Sequence, residues 1–378
     1  MIAAAALALA FVAAQEAETK RVDTSLAATA TAIERGTAYL LANQNADGSW
    51  GGPNNPAHEF WSNPETHRAW TVATTALAAI ALLEDAAADS KKDAAADRGL
   101  DYVVANAGLQ RPSDWDIDNT WGYVYGLQAL SRAIVHPRIA PTPRAETFRK
   151  TGAAIAESLK RYQSPNGGWG YYANPDAGWR PEWATSFMTA VGVLALVDAR
   201  AAGIAFDEPM LEKAVRALER CRLPNGAYSY DVMALPRVRG LEDINDVKGS
   251  LGRIQVCNLA LVEAGSKKVT EADLRAGLDL FFKHHKFLDV ARMRPIPHEA
   301  YYYNAAYFYF FGHYYASLVL ERLPQDVRAP YAEPLRREVL KTIDPDGSMW
   351  DFYLNSYHRP YGTSFGVMTL RRAARTGD

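Results

Sequence analysis

Cysteine is nearly absent from this chain, with only Cys221 and Cys257 in 378 residues. Two thiols cannot form the disulfide framework of a small secreted domain. One bridge stays possible, but a chain this long builds a core without a staple, which favours two buried thiols packing as small hydrophobes. Charge of one sign is lacking too: 41 basic residues face 43 acidic ones, for a formal charge of −2. No Lys/Arg run is long enough to give the electrostatic footprint of a nucleic-acid binder. Beyond the first residues, no uncharged apolar run reaches membrane-spanning length. Strand-type alternation appears nowhere at a strength comparable with the helical periodicity.

What is present begins with an apolar run, Met1 to Ala14, that turns abruptly into Gln15-Glu16-Ala17-Glu18. The run is too short to cross a bilayer, and Val12 and Ala14 supply the small residues of a signal-peptidase site. Residues 1–14 are therefore expected to be a signal peptide cleaved after Ala14, and the protein to be secreted or periplasmic, although no Lys or Arg precedes the run. Residues 15–378 are expected to form one domain without a transmembrane segment. The apolar fraction of 48% and charged fraction of 22% are those of a globular protein with a sizeable core.

Internal repetition is the most informative feature. Asp47-Gly48-Ser49-Trp50 recurs as Asn166-Gly167-Gly168-Trp169, as Asn225-Gly226-Ala227-Tyr228 and as Asp346-Gly347-Ser348-Met349-Trp350. From Gly48 to Gly347 there are 299 residues, and from Gly167 to Gly226 there are 59. The span divides into five steps of about sixty, with degenerate copies near Gly108 and His285, giving six units. Each mark follows an amphipathic run, expected to be an outer helix. After a loop comes a more uniformly apolar run: Trp70 to Leu83, Trp121 to Ile134, Trp183 to Val197, Ile254 to Val262, Tyr301 to Leu320 and Thr363 to Leu370. A helix apolar on most sides must be buried on most sides, so these six form the inner ring of an all-α, double-walled α/α toroid. In each mark the Gly takes the positive φ that ends the outer helix, and the following Trp or Tyr packs over the helix end.

Gln44-Asn45-Ala46-Asp47-Gly48-Ser49-Trp50 and Gln163-Ser164-Pro165-Asn166-Gly167-Gly168-Trp169 resemble the Gln-Trp repeats of squalene and oxidosqualene cyclases, shared in weaker form with prenyltransferase β subunits. The resemblance spans nearly the whole mature chain and implies the α/α toroid. It does not fix an activity, because the same barrel carries prenyltransferases, thioester domains and polysaccharide lyases. A class II cyclase uses Asp-x-Asp-Asp as a strong general acid. Asp116-Ile117-Asp118-Asn119 matches with Asp118 as donor and Asp116 as its neighbour, but Asn119 replaces the last Asp. Asp118 before Asn119-Thr120 reads equally as a helix N-cap, as do Thr74-Thr75, Thr185-Ser186 and Thr363-Ser364. Those cyclases also enclose the hydrocarbon between two helical domains, where this chain offers one. The zinc set of prenyltransferases is missing, since Gln255 stands where an Asp should precede Cys257, and no other Cys/His/Asp set has good zinc spacing. No cofactor or metal is expected.

The expected site is a funnel at the end where every inner helix begins. The aromatic run from His298 to Tyr315 would place Tyr303, Tyr307, Phe310 and Tyr314 on one helix face, offering π-faces to a cation or flat faces to a sugar. His298, Glu299, Asn304 and His313 are polar members that need partners. Trp179-Arg180-Pro181-Glu182-Trp183 and Tyr357-His358-Arg359-Pro360-Tyr361 stand before the third and sixth inner helices, and Glu65, His67 and Arg68 before the first. His284-His285 reads as solvated surface. The candidate ligand contacts are therefore Trp121, Arg180, Glu182, His298, Glu299, Tyr303, Tyr307, His313, His358 and Arg359, and the ligand a small molecule, lipid or glycan. Three functions follow: a terpene cyclase-type isomerase using Asp118, a carbohydrate-active lyase or hydrolase using Tyr or His as base with Arg180 or Arg359 neutralising an acidic sugar, and a non-enzymatic binding protein.

Overall fold

The computed structural model describes residues 22–54, 64–85, 89–109, 119–171, 183–232 and 243–376. The expected signal peptide, Asp116, Asp118, Arg180 and Glu182 lie outside them. The described residues hold thirteen α-helices and no strand beyond isolated bridges. In chain order these are α1 Leu26–Ala42, α2 Pro64–Leu83, α3 Ser90–Ala105, α4 Asn119–Val135, α5 Arg144–Tyr162, α6 Ser186–Ala201, α7 Glu208–Cys221, α8 Leu251–Glu263, α9 Glu271–Lys283, α10 Lys286–Ala291, α11 Phe308–Leu320, α12 Gln325–Leu340 and α13 His358–Thr376.

Helices α2, α4, α6, α8, α11 and α13 pack each on the next, and α13 packs on α2, so the inner ring is closed. The outer helices lean mainly on one inner helix each: α3 on α2, α5 on α4, α7 on α6, α9 on α8, α12 on α13, and α1 on α13. This is the α/α toroid. The sequence pattern explains the division of labour: in α6 the buried residues run nearly unbroken from Ser186 to Leu196, whereas in α7 they recur only at Met210, Leu211, Ala214, Ala217, Leu218 and Cys221.

The repeated turns dock in one way in four units. The backbone N–H groups of Trp50, Trp169, Tyr228 and Met349 donate to the hydroxyls of Thr75, Thr189, Ser250 and Thr363 at 3.0, 3.1, 3.0 and 2.9 Å. Gly48, Gly167, Gly226 and Gly347 all have positive φ, and at Gly48 a Cβ would lie 2.7 Å from the Arg98 carbonyl oxygen. Trp50 and Trp169 are fully buried, and their indole N–H groups donate to Leu40 O at 2.7 Å and Leu159 O at 2.8 Å. Two expectations are corrected here. Met349, not Trp350, takes the tryptophan position of the sixth unit, because it is the second residue after the turn glycine as in the other units, and Trp350 is only half-buried. Thr74-Thr75 and Thr363-Ser364 are not caps either: they lie inside α2 and α13, and Thr75 and Thr363 are the anchors that receive the turns. Cys221 and Cys257 are both buried free thiols, as expected.

At the C-terminal end of the inner ring, ion pairs tie the helices together. Arg132 on α4 reaches Glu84 after α2 at 2.6 Å and Asp198 on α6 at 3.5 Å. Arg372 on α13 reaches Glu84 at 2.7 Å and Glu321 after α11 at 3.3 Å, while Arg322 pairs with Glu263 on α8. Burial by itself would raise the Glu84 carboxyl, but the Arg372 and Arg132 guanidiniums hold it below its ordinary value. The Arg132, Arg322 and Arg372 cations also complement the negative C-terminal ends of α4, α11 and α13.

Candidate functional site at the mouth of the barrel

The opposite end, where the inner helices begin, is closed at the level of their first two turns by aromatic rings. Trp121 on α4 meets Phe311 on α11 across the axis at 6.4 Å between centroids, and Phe187 on α6 lies 6.0 Å from Trp121 and 6.2 Å from Phe311. Phe365 on α13 reaches Tyr125 at 6.0 Å, which stacks under Trp121 at 5.7 Å. Phe187, Phe311, Phe365 and Tyr125 are no more than 2% exposed. Interlocking rings thus occupy the axis at this level, and among the described rings of this plug Trp121 is the half-buried one.

Above this plug the repeat places its own residues. The position four beyond each turn glycine is Gly52, Tyr171, Tyr230 and Asp351 in the first, third, fourth and sixth units. The third and fourth are pinned side by side at the entry of α6: Thr185 N–H donates to Trp169 O at 2.9 Å, and Ser186 N–H to Tyr230 O at 2.9 Å. The hydroxyls of Tyr171 and Tyr230 consequently meet at 2.7 Å. Arg253, wholly buried on α8, spreads its guanidinium 5.1 Å from the Tyr230 ring centroid and donates to the carbonyls of Gly249 at 2.8 Å and Ile244 at 2.6 Å. Burial raises the Tyr230 phenol to about 12, against the Tyr171 hydrogen bond and the Arg253 charge that pull it down.

His298 completes the constellation. Its Nδ1 lies 2.7 Å from the Tyr303 carbonyl oxygen, so that nitrogen carries the hydrogen and donates. The Nε2 lone pair then faces the Tyr307 hydroxyl at 2.9 Å and the Tyr230 hydroxyl at 3.4 Å. Burial depresses the imidazole below its ordinary value, the Tyr303 bond opposes that, and Arg253 adds to it. The backbone is strained here: Met293, His298, Tyr302 and Tyr303 all hold positive φ without being glycine. Such residues cluster where a site over-determines the chain. Lys248 donates to the Tyr302 hydroxyl at 2.8 Å, and the Asn304 amide donates to Lys248 O at 2.9 Å, contacts that hold the loop in place.

Asp351, the fourth member of the ruler position, is entirely buried. Its Oδ2 accepts from Phe310 N–H at 2.9 Å, capping α11 from far along the chain, and its Oδ1 has no hydrogen-bond partner. Burial pushes its carboxyl up to about 7, only partly opposed by the backbone N–H groups of Phe310 and Phe352 and by Arg292.

Of the residues expected at the funnel, Trp121, His298 and Tyr307 gather at the mouth. The helix expected from Tyr301 begins only at Phe308, because Tyr302 and Tyr303 turn left-handed; Tyr303 is therefore 54% exposed and contributes its carbonyl rather than its ring. Glu299 is exposed on the same loop. His313 is not a mouth residue: it is fully buried and contacts His285 at 2.9 Å, next to Phe281 of the outer helix α9. His285, expected on the surface, is itself 6% exposed, because the fifth unit replaces its turn with α10 and folds the residue inward. Arg359 is committed to the sixth turn, pairing with Asp344 at 2.9 Å and Asp346 at 3.3 Å and lying over Trp350. His358 caps a local carbonyl, Asn355 O, at 2.6 Å. His67 meets the Tyr357 hydroxyl at 3.0 Å, and Glu65 pairs with Arg68 at 3.5 Å. Tyr171, Tyr230, Arg253 and Asp351 escaped the sequence reading; the spacing from the turn glycines would have found three of them.

No known family pattern matches the chain, and no curated protein does. Solved structures of similar fold include a type II terpene cyclase from Scytonema in complex with merosterolic acid A, at 14% identity and TM-score 0.54 over 93% of this chain and 98% of that one. An inactive variant of an α-1,6-mannanase from a Salegentibacter species, in complex with α-1,6-mannotriose, matches at 13% identity and TM-score 0.57 over 92% and 99% of the two chains. An unsaturated glucuronyl hydrolase from a Bacillus species matches at 10% identity and TM-score 0.57 over 92% and 96%. The toroid is thus shared with proteins that bind small molecules or glycans.

Proposed function

We propose that the barrel mouth binds a sugar ring and that this protein is a carbohydrate-active enzyme, a lyase or hydrolase, in which His298 and its two tyrosines move the protons. The observation that carries this reading is the His298 imidazole, fixed by the Tyr303 carbonyl so that Nε2 is a lone-pair acceptor shared by Tyr307 and Tyr230. A tyrosine hydrogen-bonded to a neutral histidine is a usable base: the phenol oxygen takes a substrate proton as its own passes to Nε2. The neighbouring Tyr171–Tyr230 pair offers a hydroxyl to a leaving oxygen, and the Arg253 charge beside the Tyr230 ring stabilises the phenolate left behind. Trp121, half-exposed over the plug, offers the flat apolar face on which a sugar ring stacks.

The isomerase reading, with Asp118 as general acid, would require a hydrocarbon to enter where Trp121, Phe187 and Phe311 meet. The filled axis favours a shallow site for a polar ring. Export, which the apolar start of the chain supports, would bring the mouth into contact with extracellular or periplasmic glycans. The test is a panel of neutral and uronate-containing oligosaccharides assayed for new reducing ends or unsaturated products. Tyr307→Phe should lower turnover by about a hundredfold or more with an unchanged melting midpoint. A fully active Tyr307→Phe enzyme, or a panel with neither binding nor turnover, overturns the proposal.

A further inference from the structure

Away from the mouth, between the outer wall and the inner ring of the fifth unit, lies a cluster that the mouth chemistry does not use. His285 at the end of α9, Asp289 on α10, His313 on α11, and Glu338 and Lys341 at the end of α12 converge there. His285 Nδ1 stands 3.0 Å from Asp289 Oδ2 and 3.2 Å from Glu338 Oε2. The three donor atoms lie within 4.8 Å of one another.

The hydrogen-bond chain behind His285 fixes which atoms carry hydrogen. His313 Nδ1 faces the Tyr309 carbonyl oxygen at 2.7 Å and must donate, which leaves His313 Nε2 as an acceptor. His285 Nε2 sits 2.9 Å from it and must be the donor there. The remaining nitrogen, His285 Nδ1, points between two carboxylate oxygens. Three lone pairs converge on one buried point, so a positive centre belongs between them, either a proton on Nδ1 or a metal ion. The two separations from His285 Nδ1, 3.0 and 3.2 Å, suit an ion: a metal bound at about 2.0–2.2 Å keeps neighbouring donors about 3.0–3.5 Å apart, and a small shift of either carboxylate brings the third edge to the same length. A ligating histidine whose other nitrogen donates to an outer acceptor is also the arrangement that fixes a metal-binding tautomer.

We propose that His285 Nδ1, Asp289 and Glu338 form a site for a divalent transition-metal ion of the zinc type, with His313 as the outer acceptor that orients His285. Imidazole with two carboxylates suits such an ion, and the part-exposed Asp289 leaves a side from which water completes the coordination. Bound there, the ion staples the α9–α10 corner to α12 and rigidifies the outer wall of the unit whose turn has degenerated. Lys341 is the competing cation. Its ammonium lies 2.6 Å from Asp289 Oδ1 and also contacts Glu338 Oε2, the oxygen shared with His285. Its side chain is 31% exposed and can swing into solvent when a metal arrives.

The experiment is calorimetric titration of chelator-treated full-length protein with zinc chloride, using wild type, His285→Gln and Lys341→Met, each checked for helicity by circular dichroism. One zinc per wild-type chain is expected, with at least a tenfold weaker Kd in His285→Gln and a tighter Kd in Lys341→Met, where the competing ammonium is gone. If His285→Gln does not fold, Lys341→Met decides, since removing a cation from a mere salt-bridge cluster creates no zinc affinity. Zinc binding that survives His285→Gln unchanged, is no tighter in Lys341→Met, or is absent from both wild type and Lys341→Met overturns the site.

Discussion

Arg372, one turn from the end of the last inner helix, donates to Glu84, the residue directly after the first inner helix, at 2.7 Å. The two are separated by most of the chain, and with the Arg371–Asp85 pair at 2.7 Å beside it their contact forms the electrostatic seam of the ring. Arg372→Met should destabilise the protein by about 3 kcal/mol, because Glu84 would keep only Arg132 in a largely dry setting. Deleting residues from Pro334 onward should be worse, exposing the apolar flanks of α11 and α2 and causing aggregation. Urea unfolding of the point variant and light scattering of the truncation check both. A soluble, cooperatively melting truncation would contradict ring closure.

The turn register makes a graded prediction. Trp50→Ala and Trp169→Ala should each cost roughly 3–5 kcal/mol, the range for deleting a fully buried large aromatic that fills a site between helices. Trp350→Ala should cost only about 1 kcal/mol, since that ring is half-exposed and held by one Asp344 hydrogen bond and by Arg359. Denaturant midpoints rank the three. A Trp350 variant as unstable as the other two would refute the register that puts Met349 in the buried position.

Asp351 makes stability depend on pH in an unusual direction. Its carboxyl is raised by burial to about 7, above the ordinary 3.8 that it regains on unfolding. Between those values the folded state binds more protons than the unfolded one, so this residue's contribution falls as pH rises from about 4 to 7 and then levels off. Asp351→Asn keeps an acceptor for Phe310 N–H and does not ionise. The variant should melt higher than wild type at pH 8 and lose that advantage at pH 4.5. An advantage that is constant with pH, or a variant less stable at pH 8, would mean that the folded carboxyl is not raised above its ordinary value.

At the mouth, His298 should titrate below the ordinary histidine value of 6.5, because burial and Arg253 disfavour the charged ring. Its folded pKa is depressed, so the neutral form persists through neutrality and is lost as pH falls, and ligand turnover should share that acid limb. Nuclear magnetic resonance titration of the imidazole is the direct check. A midpoint above about 7 would leave most rings protonated at neutral pH and remove Nε2 as the acceptor there.

Asp118 separates the competing functions. If His298 and the tyrosines do the chemistry, Asp118→Asn should keep fold and turnover, since Asn would serve equally in the N-cap role expected from the sequence and shape is preserved. Asp118→Ala should then cost about 1 kcal/mol and nothing specific in turnover. A stable Asp118→Asn protein that has lost all turnover would move the isomerase to first place.

The sequence by itself determined the architecture. A turn mark about every sixty residues, four of them with the same Asp/Asn-Gly element, with amphipathic runs before it and apolar runs after it, leaves few ways to bury both kinds of helix other than a double-walled ring. Local rules sufficed because turn glycines and helical periodicity act within a few residues. Tertiary structure alone decided the rest. The loop from His298 to Tyr303 reads as helix, yet Lys248 and Asn304 hold it left-handed through contacts with no sequence period. His285 reads as surface and is folded inward onto His313, and Arg359 reads as a ligand contact and is taken by Asp344 and Asp346. A side chain's partner is set by which helices the ring makes neighbours, and that long-range geometry is written in no short stretch of the chain.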